Sequence, residues 1–128
     1  MAEESYPDDL KYHTEHDWAR VNGDEATLGI TWFAQEQLGE VVFFDPPTVG
    51  DTISANQSYA EVESVKAVSD VIAPVSGEIV AVNEALSGAP ELVNSDPYGD
   101  GWLVRVRMSD PSEVDGLLDA AAYRETLG

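Results

Sequence analysis

From Val49 to Met108 the chain breaks into short alternating stretches, each closed by a turn signal, and this limits what it can fold into. Gly50 and Asp51 make the first turn. Residues 58–64 then alternate, with Ala60, Val62 and Ser64 against Tyr59, Glu61 and Glu63. A second strand is expected over about 69–72. Pro74 to Gly77 reads as a turn and 78–83 as another strand. Trp102, Val104, Val106 and Met108 point one way, while Arg105 and Arg107 point the other. Short strands at this spacing predict an antiparallel sandwich or barrel, not a parallel α/β sheet. A five-residue echo reinforces the regularity: Val49-Gly-Asp-Thr-Ile53 resembles Ser76-Gly-Glu-Ile-Val80, one on each side of Lys66.

Around this stretch the pattern is mixed. Residues 1–9 are polar and acidic and read as a loose lead-in to a single domain over 10–128. Ala26, Leu28 and Ile30 share one face of a half-buried strand, entered through Asn22-Gly23-Asp24. Thr31 can cap a short helix that runs to Leu38 and stops at Gly39. Val41-Val-Phe-Phe44 is a wholly apolar strand ended by Asp45-Pro-Pro47. Gly88, Pro90, Asn94, Pro97, Gly99 and Gly101 predict a long irregular loop over 86–101. Asp110 and Pro111 open a C-terminal helix with Glu113 in its first turn. Leu117, Leu118, Ala121 and Ala122 form its apolar stripe, which Gly116 can interrupt.

The charge balance excludes whole classes of partner. Twenty-five acidic residues stand against six basic ones, for a net charge of −19, while hydrophobic content stays at an ordinary 43%. Nucleic acid and anionic membrane surfaces both require a basic footprint that this chain lacks. No apolar run approaches a membrane span, and the N-terminus lacks a signal peptide's pattern, so the cytoplasm is the expected compartment. With no cysteine there are no disulfides, thiolate metal sites or cysteine nucleophiles. Only two lysines are present, Lys11 and Lys66. Acidic excess with so little lysine points to a high-salt cytoplasm, where screening relieves repulsion among surface acids.

Lys66 is the most informative residue. It lies between two strands, with Glu61, Glu63 and Asp70 nearby. One reading is a lysine that neutralises an acidic patch. The other is covalent attachment: a lysine on a tight turn projects a primary amine on a flexible stem, and arginine could not replace it as a nucleophile.

Glu63-Ser-Val-Lys66-Ala, then Ser69-Asp70 and Pro74-Val-Ser-Gly77-Glu-Ile-Val-Ala-Val-Asn83-Glu84, resembles the lipoyl-attachment region of the glycine cleavage system H protein family. Three further blocks resemble that family, in order. They are Glu15-His-Asp17-Trp18; Gly29-Ile-Thr31 with Ala34-Gln35 and Leu38-Gly-Glu-Val-Val42; and Asn94-Ser-Asp-Pro-Tyr-Gly99 with Gly101-Trp102. Asp17 stands where the family more often has glutamate, and Trp32 where it often has an acidic residue.

The resemblance implies a mainly β barrel-sandwich hybrid of antiparallel strands with short flanking helices, including a C-terminal one. It implies a carrier, not a catalyst, with lipoate amide-linked to Lys66 within the segment Glu63, Ser64, Val65 and Ala67. The carrier, expected as a monomer, would take the aminomethyl group of glycine from a pyridoxal-phosphate glycine decarboxylase to a tetrahydrofolate-dependent aminomethyltransferase. Dihydrolipoyl dehydrogenase would then reoxidise the dithiol, and a lipoate-attaching enzyme would install the cofactor. The positions that match the family's arm-docking cleft are Glu15, Asp17, Gln37 and Asp70. Their acidic groups suit an ammonium.

Other readings are weaker. His13 and His16, with Glu15 and Asp17, share no helical face and lack a third ligand of defined geometry, so no metal site is expected. No nucleophile elbow or phosphate-binding glycine loop is present. Trp18, Trp32 and Trp102 do not alternate with basic residues and read as packing groups. Glu61 and Glu63 are solvated or touch the lipoate-attaching enzyme. A lipoyl domain of a 2-oxo acid dehydrogenase typically shows Asp-Lys-Ala where this chain has Val65-Lys66-Ala67, and a biotin carrier would show Met-Lys-Met. An unmodified β-sandwich binding module remains an alternative from another class.

The charge generates a test. The Debye length falls from about 10 Å at 0.1 M to about 3 Å at 1 M. A chain at −19 should therefore gain folding stability as KCl rises from tens of millimolar to molar. A denaturation midpoint that stays flat or falls over that range would count against the high-salt reading.

Overall fold

The computed structural model describes residues 3–127, and all strand pairing within it is antiparallel. Nine strands form two sheets: β1 (Lys11–His13), β2 (Asp17–Asn22), β3 (Glu25–Ile30), β4 (Val41–Asp45), β5 (Thr52–Ile53), β6 (Ser58–Ser64), β7 (Val68–Ile72), β8 (Gly77–Val82) and β9 (Val104–Met108). One sheet has the order β1-β2-β3-β9-β8-β5, and the other β4-β6-β7. Helices α1 (Trp32–Leu38), α2 (Leu92–Ser95) and α3 (Ala120–Leu127) flank them. The architecture is mainly β and antiparallel, as the alternation predicts, and is the barrel-sandwich hybrid that the resemblance implies.

The main core lies between the sheets. Leu28, Ile30, Ile79, Val104 and Val106 from one meet Val41, Phe44, Val62 and Val71 from the other. The two echo segments are neighbours: Thr52 pairs with Glu78 and Ile53 with Gly77. Thr31 caps α1 by accepting the N–H of Ala34, and Gly39 ends it at φ 88°, the left-handed region that favours glycine.

A second, aromatic cluster lies outside the first sheet and contains Tyr6, Leu10, Tyr12, Trp18, Ala120 and Tyr123. It explains why β2 escapes a periodicity reading. Trp18 faces this cluster while Ala19 faces the main core, so both faces of β2 are buried and polar alternation disappears. The same cluster anchors part of the expected loose lead-in, whose residues 1 and 2 lie outside the described residues. Tyr6 is only 5% exposed and packs edge-on against Tyr123.

Other expectations need correction. Residues 86–101 are not simply irregular: a 3₁₀ turn at Glu84–Ser87 and α2 cover part of them. The single C-terminal helix is two elements. Asp110 caps a 3₁₀ segment over Pro111–Gly116, Leu117 is extended, and Leu118 exchanges backbone hydrogen bonds with Tyr12 before α3 begins. The buried residues of α3 are Ala120 and Tyr123, so the expected stripe is out of register. In β4 the pairing with β6 shifts between Val41 and Phe43, which leaves Val42 and Phe43 about half exposed on an apolar strand. A similar shift in β6 makes Tyr59 an extra residue, packed against the core instead of solvated beside Glu61.

Trp18 lies directly across from Gly29. A Cβ on Gly29 would stand 2.6 Å from three atoms of the indole. Gly29→Ala should therefore cost about 1–3 kcal/mol through overpacking, read as a lower urea midpoint. An unchanged midpoint would mean that the indole moves freely.

Candidate functional site

Lys66 sits at the tip of the β6–β7 hairpin and is exposed. The hydroxyl of Ser64 organises the turn: it accepts the backbone N–H of Lys66 at 3.2 Å and of Ala67 at 3.0 Å. The Ser64 N–H donates to the Ala67 carbonyl at 2.8 Å. A brace from another segment joins it, because the Val65 N–H donates to the Glu40 carbonyl at 3.1 Å. The Lys66 stem lies over Gly39, with Cε 3.2 Å from where a Cβ on Gly39 would stand.

Among the described residues the one ion pair joins Arg107 to Glu78, so Lys66 neutralises no neighbouring acid. The remaining arginines lie over aromatic rings: Arg20 on Trp18, Arg105 on Trp102 and Arg124 on Tyr6. Lys11 lies within β1, its backbone paired with β2. Lys66 alone combines a lysine amine with a turn.

Beside the hairpin, α1 and the start of β7 enclose a cleft of about 340 Å³ that Glu15, His16, Gln37, Ala67, Val68 and Ser69 help to line. A smaller recess of about 40 Å³ shares Glu15, His16 and Ser69 and adds Asp17 and Asp70. The structure thus places the four cleft candidates around two recesses that share Glu15, from three segments of the chain: Glu15 with Asp17, then Gln37, then Asp70. Glu15, Gln37 and Asp70 are exposed, whereas Asp17 is 2% exposed.

Asp17 is the unusual group. Its Oδ2 is buried without a hydrogen-bond partner, as is the hydroxyl of Tyr59. Burial, reinforced by the Glu15 carboxylate, holds Asp17 well above the usual carboxylate range, and the Ile72 N–H offsets this only in part. Burial and the nearby Asp17 together push the Tyr59 hydroxyl upward as well.

His16, which the sequence suggested only as a weak metal ligand, is instead a wall of both recesses. It has φ 73° and packs at a tilt against Phe33, and its Nδ1 shares a hydrogen bond of 2.8 Å with the Tyr123 hydroxyl. Burial holds its imidazole below the ordinary value, against the pull of Glu15. Its position between Glu15 and Asp17 is the signal that could have placed it in the cleft. His13 turns to Asn56, and among the described residues no three ligating side chains converge.

Residues 10–128 match the family described as Glycine cleavage H-protein. The chain belongs to that family. A glycine cleavage system H protein from Halorhodospira halophila is 58% identical over 122 residues, 94% of each chain. One from Enterobacter sp. is 59% identical and covers 94% of this chain and 95% of the relative. The crystal structure of a glycine cleavage system H protein from Mycobacterium marinum is similar with a TM-score of 0.88 at 44% identity, over 95% of this chain and 98% of that one. The chain is accordingly a lipoyl aminomethyl carrier, a non-catalytic member of the glycine cleavage system, and its family carries lipoate on a lysine. Membership sets aside the 2-oxo acid dehydrogenase domain and the unmodified binding module. Among the described residues no helix is long and apolar enough to cross a membrane.

The environment of Asp17 has a measurable consequence. A folded-state pKa above the unfolded one means that folding favours the protonated form. Its stability contribution is present below the unfolded value, near pH 4, and is lost as pH rises through the folded value. Asp17→Asn should therefore differ little from the parent near pH 4 and become progressively more stable than it at higher pH, by urea midpoint. An advantage that does not grow with pH would refute a disfavoured Asp17 charge.

Proposed function

We propose that Lys66 carries the lipoyl group and that the cleft beside it receives the arm once an aminomethyl group is aboard. The observation that carries this reading is an exposed lysine amine at a braced hairpin tip, without an ion-pair partner among the described residues, next to a recess lined with carboxylates. The lipoyl group, when attached, supplies a dithiolane that accepts the aminomethyl group of glycine and is later reoxidised from the dithiol.

The residues of the chain do the rest. Ser64 and Glu40 fix the base of the arm, while the exposed tip leaves its stem free to enter partner active sites. Glu15 and Asp70 offer charge-assisted hydrogen bonds to a primary ammonium, and Gln37 a neutral one. Asp17 waits at the floor with an oxygen that has no other partner. Ala34, Leu38 and Val68 supply apolar wall that limits water around the docked end. Glu63, Val65 and Ala67 flank the lysine as the surface that the lipoate-attaching enzyme meets.

The partners in this reading are the pyridoxal-phosphate glycine decarboxylase, the tetrahydrofolate-dependent aminomethyltransferase and dihydrolipoyl dehydrogenase, met in the cytoplasm by a monomer. Lys66→Arg keeps the charge and much of the stem but not the acylatable amine. It should leave thermal unfolding nearly unchanged, abolish the lipoyl mass shift, and drop glycine cleavage in the reconstituted system to background. A retained mass shift would move the attachment to Lys11, the other lysine.

A further inference from the structure

Two buried amides lie beneath the lysine hairpin. Gln35 of α1 is fully buried and Asn94 of α2 is 8% exposed. The Asn94 Nδ2 donates to Gln35 Oε1 and to the Gly39 carbonyl, both at 2.9 Å. Its Oδ1 accepts the Val41 N–H at 2.8 Å. Gln35 Nε2 in turn donates to the Trp32 carbonyl at 3.0 Å. One side chain therefore grips both ends of the short segment 39–41.

That segment is the platform of the lysine. Its middle carbonyl, on Glu40, accepts the Val65 N–H, and its first residue, Gly39, lies against the Lys66 stem. Burying two amides is an expensive way to fill a core, since apolar side chains of the same shape in place of both partners can be nearly neutral or stabilising. What amides add is direction: each bond sets the height and angle of a specific backbone group.

We propose that the Gln35–Asn94 pair is a positioning element for lipoyl chemistry: it fixes segment 39–41 and, through the Val65 N–H, fixes where the Lys66 amine is presented for acylation. This rests on Lys66 as the attachment residue. The hydrogen bonds of the Asn94 side chain run to Gln35, Gly39 and Val41, not to the lysine. It acts through the backbone of segment 39–41, and misplacement of a reacting group by about 1 Å can cost about 100-fold in rate.

The test uses the full chain with Asn94→Leu. Hydrogen exchange of the Val65 amide should speed up by about tenfold or more as its acceptor loosens. With a lipoate-attaching enzyme, lipoate and ATP, kcat/KM for modification of Lys66 should fall by about tenfold or more. The comparison variant is Asn83→Leu. Asn83 is a similarly buried amide whose bonds run to Asp100, Trp102 and Ala85 instead. It should lower the unfolding midpoint without changing either readout.

Equal effects from both variants at equal loss of midpoint, or unchanged Val65 exchange in Asn94→Leu, would overturn the proposal. If Asn94→Leu does not fold, Asn94→Asp retains an acceptor for Val41 and loses both donors, and unchanged exchange and acylation in it would be equally fatal. Failure of the parent chain to gain lipoyl mass on Lys66 would overturn the attachment reading itself. A parent that is lipoylated at the same rate as the variants overturns only the role of the amide pair.

Discussion

The hydroxyl of Ser64 is the group on which the site depends. It is almost fully buried at the end of β6, opposite Val41, and it accepts two successive N–H groups of the turn. Each such bond contributes only about 1 kcal/mol net. Their consequence is geometric: the backbone of the tip is tied to the sheet, so the motion left at Lys66 belongs to its side chain. A carrier that visits several active sites needs that division between mobile arm and fixed base. Ala at position 64 would leave both turn N–H groups without this acceptor, while the strands beneath could still pair.

The cleft is held from a distant part of the chain. The Tyr123 hydroxyl in α3 lies 2.8 Å from both Thr31 Oγ1 and His16 Nδ1, and its ring stacks on Tyr12 at 4.8 Å. Thr31 is the N-cap of α1, and His16 is a wall of the cleft. Burial pushes the Tyr123 hydroxyl up to about 12, so it stays protonated at working pH, where it can donate one hydrogen bond and accept another. The aromatic cluster outside the main sheet is thus a buttress for the cleft. It also accounts for the buried Tyr6, and for Leu118, whose backbone pairs with β1 where a continuous helix was expected.

What could be read from the sequence divides along physical lines. The β6–β7 hairpin, the Thr31 cap, the Gly39 stop and the exposed Lys66 all depend on local chemistry, and local chemistry is written in adjacent residues. β2 depends on burial from two sides, which removes the alternation that would reveal it, and β1 is only three residues long. The bulges that expose Phe43 and turn in Tyr59 arise from pairing between strands, which no single strand records. Glu15 with Asp17, Gln37 and Asp70 come from three separate segments and could be grouped only by resemblance. The burial of Asp17 emerges only from the assembled fold, whereas His16 stands in sequence between two of those residues. The Asn94 block was legible as a motif, but its grip on Gly39 and Val41 was not.

The distribution of cations gives the proposed docking a physical sense. Three arginines are engaged with aromatic rings, and the single ion pair among the described residues is long, at 3.9 Å, and exposed. Near the hairpin, Asp45, Glu61 and Asp70 are direct cross-strand neighbours, an arrangement of like charges that destabilises a sheet. Lys66 lies beyond the end of that row, at the hairpin tip, with its stem over Gly39. Acylation at Lys66, as proposed, would remove its charge and take the chain from the −19 of its sequence one step further negative. On the proposed role, an arm that ends in an ammonium restores a cation at its far end, and the acidic surface attracts it, whereas the empty arm is neutral and feels no such pull. Charge on the cargo then separates the retained state from the free one without any rearrangement of the fold.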